Sequence, residues 1–308
     1  MVLIESTKVS EMCDYSFGDQ SGIINNIDGA YMKPANPENK EFINLYNKFK
    51  SENNSVMTLF IDNIRLYNRS IKSVKPQDIP WVENLLSNND LLKLCSQLND
   101  MNFIIFTGHE DTPIDEFIFE KIPSNVLFIF AVNAESFGGK VVPLPYGLQR
   151  KLHNGDERLK TMTTSMNETS IPTKLLYVNH NIKTNFSERA GINEIFLSEK
   201  WVSVETKRID YFSFLERIKN HKFMICPIGN AIDCHRNWEV LYLKRVPIMK
   251  KHKYLEKLFE GFPVLFVENY NQVTENLLIE NEHLFELSLK LDMNKLDLNI
   301  LYKNCLNL

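Results

Sequence analysis

The chain predicts an α/β protein of two units, each built on a parallel sheet, and three observations predict it. Short apolar runs recur, each followed by a polar loop and then a helical spacing of apolar residues. The runs are continuous rather than alternating, as strands covered on both faces require. A polar stretch near the middle, 153–173, rich in Thr, Ser and Asn, separates two halves of similar size and has the composition of a linker. The expected division is 1–160 and 161–308.

In the first half strands are expected at 56–61 (VMTLFI), 103–107 (FIIFT), 126–131 (VLFIFA) and 141–145 (VVPLP). Apolar residues three and four apart predict helices over 38–50 and 81–99. The second half repeats the alternation. Strands are expected at 174–179 (KLLYVN), 201–205 (WVSVE), 222–226 (KFMIC), 246–249 (VPIM) and 263–267 (PVLFV), with helices over 187–197, 211–220, 233–244, 254–259 and 272–289.

Composition narrows the function classes. The 308 residues are 44% hydrophobic and 24% charged, an ordinary globular balance, and a net charge of -4 does not mark a nucleic-acid binder. The basic run 244–253 (KRVPIMKKHK) reads either as a solvated rim or as part of an anion site. Five scattered cysteines fit a reducing compartment better than a disulfide framework. The first residues lack a signal-peptide pattern and no apolar run approaches ~18 residues, so a cytoplasmic protein without a membrane span is expected. A P-loop (GxxxxGK[ST]) and the dinucleotide fingerprint GxGxxG are both absent, which disfavours P-loop hydrolases and NAD-linked dehydrogenases.

In parallel sheets ligands gather beyond the carboxyl ends of the strands, so the polar loops that follow each strand are the places to look. The richest is 226–236, CPIGNAIDCHR. Pro227 ends a strand, and Gly229 permits a sharp turn or close approach to a ligand. Asp233 reads as an N-cap, which starts a helix at about Cys234 and puts His235, Arg236 and Glu239 on one face. A helix N-terminus with an arginine in its first turn suits phosphate, and a carboxylate one turn deeper suits ribose hydroxyls. Each residue has a plainer alternative. Arg236 and Glu239 could be an exposed ion pair, and His235 could serve a nearby carbonyl. Cys226, Cys234 and His235 superficially suggest a metal site, but no paired CxxC supports zinc.

The stretch FMICPIGNAIDCHRNWEVLYLKRVPIM (223–249), with PVLFVENYNQVTENL (263–277) after it, resembles the signature of the exostosin-type glycosyltransferases (glycosyltransferase family 47 and relatives). Weaker similarity extends to LLYVNHNIKTNFSER (175–189) and KVVPLPYGLQRKLHNG (140–155). The resemblance implies a GT-B fold: two Rossmann-like domains facing across a cleft, the first binding the acceptor and the second the nucleotide sugar. It implies inverting transfer from a UDP-sugar to a glycan hydroxyl, the sugar being of the xylose, glucuronate, N-acetylglucosamine, galactose or arabinose class. It also implies that Arg236 contacts the diphosphate and Glu239 the ribose, that Gly229 and Asn230 line the donor pocket beside Asp233 and His235, and that Arg189 is a second phosphate ligand. Asn179 and Thr184 could contact donor or acceptor, or simply cap turns, and Arg189 could pair with Glu188 or Glu194. Many members of the family carry a secretory-pathway anchor. This chain shows none, which favours a soluble enzyme in a microbial or viral setting.

Inversion needs a base for the acceptor hydroxyl, expected on a loop of the first half. The loop GHEDTP offers His109, Glu110 and Asp111, with Asp111 preferred; Asp62 comes next and Asp19 third, and each could instead cap a turn. No Asp-x-Asp occurs, so no cofactor and no essential divalent metal are expected. Two other functions remain open: a sugar-nucleotide epimerase with the same donor site, and a non-catalytic nucleotide- or carbohydrate-binding module.

Overall fold

The computed structural model describes residues 1–17, 39–62, 66, 90–108, 111–149, 156–168 and 170–308. His109, Glu110, Asp19 and the 81–89 part of an expected helix lie outside the described residues. Among those described, no helix is long and apolar enough to cross a membrane. The chain divides into two compact units. The first holds Ile4–Tyr146 and Tyr302–Leu308, the second Met1–Leu3 and Gly147–Leu301.

Along the chain the helices are α1 (Ser6–Met12), α2 (Lys40–Ser51), α3 (Leu91–Gln97), α4 (Asp156–Asn167), α5 (Phe186–Arg189), α6 (Ile192–Phe196), α7 (Tyr211–Lys219), α8 (His235–Tyr242), α9 (Lys253–Leu258), α10 (Glu275–Glu280), α11 (Glu282–Leu289) and α12 (Leu298–Leu306). The strands are β1 (Tyr15–Ser16), β2 (Val56–Asp62), β3 (Asn102–Gly108), β4 (Val126–Ala131), β5 (Val141–Pro143), β6 (Lys174–Asn179), β7 (Val202–Glu205), β8 (His221–Ile225), β9 (Val246–Lys250) and β10 (Leu265–Val267). The two-residue β1 has no apolar run to announce it.

In the first unit the strands pair in parallel in the order β1-β2-β3-β4-β5. From Met57 to Asp62 on β2, and from Phe103 to Gly108 on β3, every residue is buried. This is why the runs are continuous rather than alternating. Phe106 and Phe130 stack at 5.0 Å, and Tyr302 from α12 stacks on Phe106 at 4.8 Å. The register sets Asp62 opposite Gly108, so the 111–115 loop leaves the same sheet edge at which Asp62 ends its strand.

The second unit is also all parallel, in the order β10-β9-β8-β6-β7. The chain winds from β6 outward to β7, jumps back across β6 to β8, then continues to β9 and β10. Winding direction therefore reverses between β6 and β8. In open α/β sheets the crevice beyond the carboxyl ends at such a reversal is where ligands bind. The first sheet, in sequential order, has no such reversal among its described strands. The core of the second sheet includes Leu176, Val178, Phe223, Ile225, Val246 and Ile248.

The expected linker at 153–173 is corrected: 156–167 is α4, and its Met162 and Ser165 are buried. The hydroxyls of Thr161, Thr163 and Thr164 donate to the carbonyls of Glu157, Leu159 and Lys160 one turn earlier. These three threonine hydroxyls are thus satisfied inside a helix, whereas the buried Ser165 hydroxyl has no partner. Two expected helices are each divided. Gly191, at φ 83°, separates α5 from α6, and Asn281 separates α10 from α11.

Candidate functional site

The loops after β6 and β8 flank the reversal in the second sheet. Cys226 continues β8, its N–H donating to the Ile248 carbonyl at 2.8 Å. Residues 227–234 then lead to α8. The helix begins at His235 with Cys234 as its N-cap, so the expected cap, Asp233, is corrected. Asp233 is fully buried and its carboxylate reaches further along the helix, accepting from Asn237 Nδ2 at 2.9 Å and Trp238 Nε1 at 2.8 Å. It anchors the first turn to the core through Trp238, whose ring packs at 4.7 Å from Phe259. The backbone N–H groups at the head of α8 consequently have no side-chain cap from Cys234.

Arg189, at the end of α5, is buried, which sets aside a surface ion pair; Glu188 pairs instead with Lys250 at 3.3 Å. Its guanidinium grips the opposite loop. Nε donates to the Ile228 carbonyl at 2.8 Å, Nη2 to Pro227 at 3.2 Å and Nη1 to Asn181 at 3.0 Å. Asn185 adds a bond from Nδ2 to the Gly229 carbonyl at 2.7 Å. Two strand-end loops are thereby locked together across the reversal. A Cβ on Gly229 would meet Arg189 Nη2, Cys234 Sγ and the Thr184 methyl, so close approach is what requires glycine there.

Arg236 behaves differently. Its Nε is buried with no hydrogen-bond partner, and no carboxylate forms an ion pair with it among the described residues. Its charge acts on Arg189, His180 and Cys234, holding down the first two and lowering the thiol against the effect of burial. Two guanidiniums within electrostatic reach of each other, beside a helix N-terminus, make a locally positive cluster. That arrangement suits an anion.

Glu239 lies one turn deeper on the same helix and is 5% exposed, so it is no exposed partner for Arg236. Burial pushes its carboxyl up; the Arg236 guanidinium, the Tyr211 hydroxyl and the Arg158 guanidinium oppose that push, in that order. Arg158, from α4, lies 4.5 Å over the Tyr211 ring. His235 Nδ1 bonds the Gly147 carbonyl at 2.8 Å, so it is the proton-bearing nitrogen and the carbonyl-partner alternative describes it. Cys226 and Cys234 are thiols pushed up by burial, Cys234 to about 11, and with His235 they form no metal-binding group.

On the same two loops Asn179 closes β6, Thr184 ends the 3-10 turn Ile182–Thr184, and Asn230 sits exposed on the 227–234 segment. Arg236 Nε, His180 Nδ1 and Asn237 Oδ1 are buried polar atoms without partners. His180, Tyr177, Tyr211 and Arg158 were not anticipated as site residues. The rule that ligands meet strand ends pointed to 179–189, but nothing in spacing set His180 apart from its neighbours.

In the first unit Asp111 is half-buried and accepts from the Tyr146 hydroxyl at 3.3 Å, while Asp62 is buried at the end of β2. Both belong to the carboxyl edge of that sheet.

Fold and geometry define an α/β protein of two parallel-sheet units, the second carrying two coupled guanidiniums where its winding reverses. Comparison of the chain with protein-family models returns no match, and comparison with curated proteins returns none.

Proposed function

We propose that the chain is an inverting, metal-independent glycosyltransferase of the GT-B type that moves a sugar from a UDP-sugar to a glycan hydroxyl. The observation that carries the reading is Arg236. A cation with a buried, unpartnered Nε stands in the first turn of α8, beside a second guanidinium, at the reversal of a parallel sheet. The resemblance of 223–249 to exostosin-type enzymes supports the particular chemistry.

In this reading the acceptor oxygen forms a bond to the anomeric carbon as the bond to the β-phosphate oxygen breaks. The acceptor proton passes to Asp111, the proposed base. The charge that develops on departing UDP is stabilised by Arg236 and the N–H groups at the head of α8. Glu239, buried yet carboxylate-bearing, accepts from ribose hydroxyls.

Thermal shift with UDP, GDP, CMP and NAD tests the donor class, since a ligand of the native state raises stability by mass action. UDP should stabilise selectively, and Arg236→Ala should remove the effect. Incubation with UDP-sugars and glycan acceptors should release UDP. Asp111→Asn should keep UDP binding and lose turnover. UDP binding with no transfer to any acceptor would favour a binding module instead.

A further inference from the structure

The outer face of α7, opposite its buried Leu215 and Ile218, opens into a cavity of about 510 Å³. That volume lies within the range of sites that hold small molecules. Phe212, Ser213, Glu216, Arg217 and Asn220 line it at the spacing of a single helix face, and Ser170 joins them from the segment before β6. From Phe212 to Asn220 the groove runs about 12 Å along the helix axis. Asn220 precedes β8 and Ser170 precedes β6, so it reaches the amino-terminal edge of the sheet, away from the loops that carry Arg189 and Arg236.

The walls are fixed by their own bonds. Asp210 caps α7 by accepting from the Ser213 N–H at 2.9 Å, and the Asn220 side-chain oxygen accepts from Thr173 N and Oγ1 at 3.3 and 2.8 Å. Arg245 Nη2 donates to the Ser170 carbonyl at 3.0 Å, and the Ser170 hydroxyl to the Lys219 carbonyl at 3.3 Å. What these bonds leave over lines the cavity. The Asn220 amide N–H₂ and the exposed Arg217 guanidinium donate to nothing among the described residues. Glu216 accepts from Lys219 with one oxygen at 2.8 Å and keeps the other. Phe212 stands 54% exposed in the same wall. A lone exposed apolar ring is ordinary, but this one sits in a cavity among free donors and a free acceptor.

Those groups define the ligand. Free donors alone would suit an anion, but the Glu216 carboxylate in the same wall repels one. A ligand that satisfies both needs groups that donate and accept at once, beside an apolar face to cover the ring. Hydroxyls do both. A sugar ring carries them at its rim and C–H bonds on its faces, and the negative face of an aromatic ring attracts C–H. We propose that the α7 groove is a carbohydrate-binding site for a neutral oligosaccharide. Phe212 stacks on a sugar ring, Asn220 and Arg217 donate to hydroxyl oxygens, and Glu216 accepts from a hydroxyl. The site goes beyond the transfer reading and does not depend on it.

The test titrates the full chain with cellotetraose, xylotetraose, chitotetraose and mannotetraose and follows its amide NMR signals. Inorganic pyrophosphate and a neutral tetrapeptide are the competing probes. At about 10 mM, at least one oligosaccharide should move the Asn220 side-chain N–H₂ and the Phe212–Asn220 backbone along a saturating curve, as a millimolar site does. Phe212→Ala should weaken that oligosaccharide roughly five- to tenfold. Asn220→Asp keeps the oxygen that Thr173 uses but loses the free donor, and should weaken it by a similar factor. Should Asn220→Asp fail to fold, Arg217→Met, at an exposed side chain, gives the same reading. No movement with any oligosaccharide, equal affinity in the variants, or movement with pyrophosphate or the peptide alone would overturn the assignment. Phe212→Ala should leave stabilisation by UDP as in the wild type. A wild type that binds no UDP would overturn the transfer reading and leave the carbohydrate site standing.

Discussion

The Nη2 atom of Arg189 lies 2.9 Å from the point that a Cβ on Gly229 would occupy. The tip of a free arginine would swing aside, but this one is pinned by three bonds to the carbonyls of Asn181, Pro227 and Ile228. Gly229→Ala must therefore either break those bonds or displace the loop. A destabilisation of about 1–3 kcal/mol is expected from the forced fit, measured by urea unfolding. Unchanged stability would mean that the loop yields freely and that Arg189 does not fix it.

The two coupled arginines should separate cleanly on mutation. Arg189→Ala leaves three backbone carbonyls without a donor and should cost roughly 3 kcal/mol. Arg236→Ala gives up no hydrogen bond and relieves repulsion with Arg189, but takes the chief opposing charge from buried Glu239. These effects oppose one another, so its stability should stay within about 1 kcal/mol of wild type while UDP stabilisation disappears. Equal destabilisation by both variants would show that Arg236 is structural.

Acid should weaken the fold through two histidines. His180 and His221 are both held down to about 4, first by burial and then by nearby cations. The unfolded chain binds protons at these sites near 6.5, so between about pH 6.5 and 4 it binds more than the native state does. Stability is thus present above the upper value and lost as pH falls through the window, by up to about 3 kcal/mol for each group. Glu239, pushed up, contributes with opposite sign. His221 stacks on Tyr177 at 5.1 Å, and His221→Phe should retain that stack while flattening the slope of unfolding free energy between pH 7 and 5. An unaltered slope would refute a neutral buried His221.

How far the sequence disclosed this arrangement depended on whether local pattern or distant packing set each feature. Val126–Ala131 and Lys174–Asn179 are strands at their expected bounds, because doubly covered strands leave uninterrupted apolar runs. Gly229 also stood out, as a sharp turn or a close ligand approach, and what approaches it is the Arg189 guanidinium. Asp233 misled because a capping residue was expected to bond its own helix start. The proximity of Trp238 and Asn237, one turn on, captured its carboxylate instead. The helix α4 was hidden because threonine-rich composition resembles a linker, and its hydroxyls reveal their partners only once the helix exists.

Asp233 offers the sharpest separation between holding the fold and holding a ligand. Its oxygens accept from Asn237 Nδ2 and Trp238 Nε1 inside the core, so both variants of interest are structural. Asp233→Ala removes an acceptor from two buried donors and should cost about 2–4 kcal/mol. Asp233→Asn keeps one oxygen but turns an amide N–H₂ toward a donor, so it should recover only part of that loss. Trp238 reports the change directly: its fluorescence should shift as the indole N–H loses its partner, before global unfolding. Nucleotide affinity should fall only in proportion to the unfolded fraction, since in the proposed function Arg236, not Asp233, binds the diphosphate. A variant that is fully folded and retains native tryptophan emission, but binds no UDP, would instead make Asp233 a direct ligand contact.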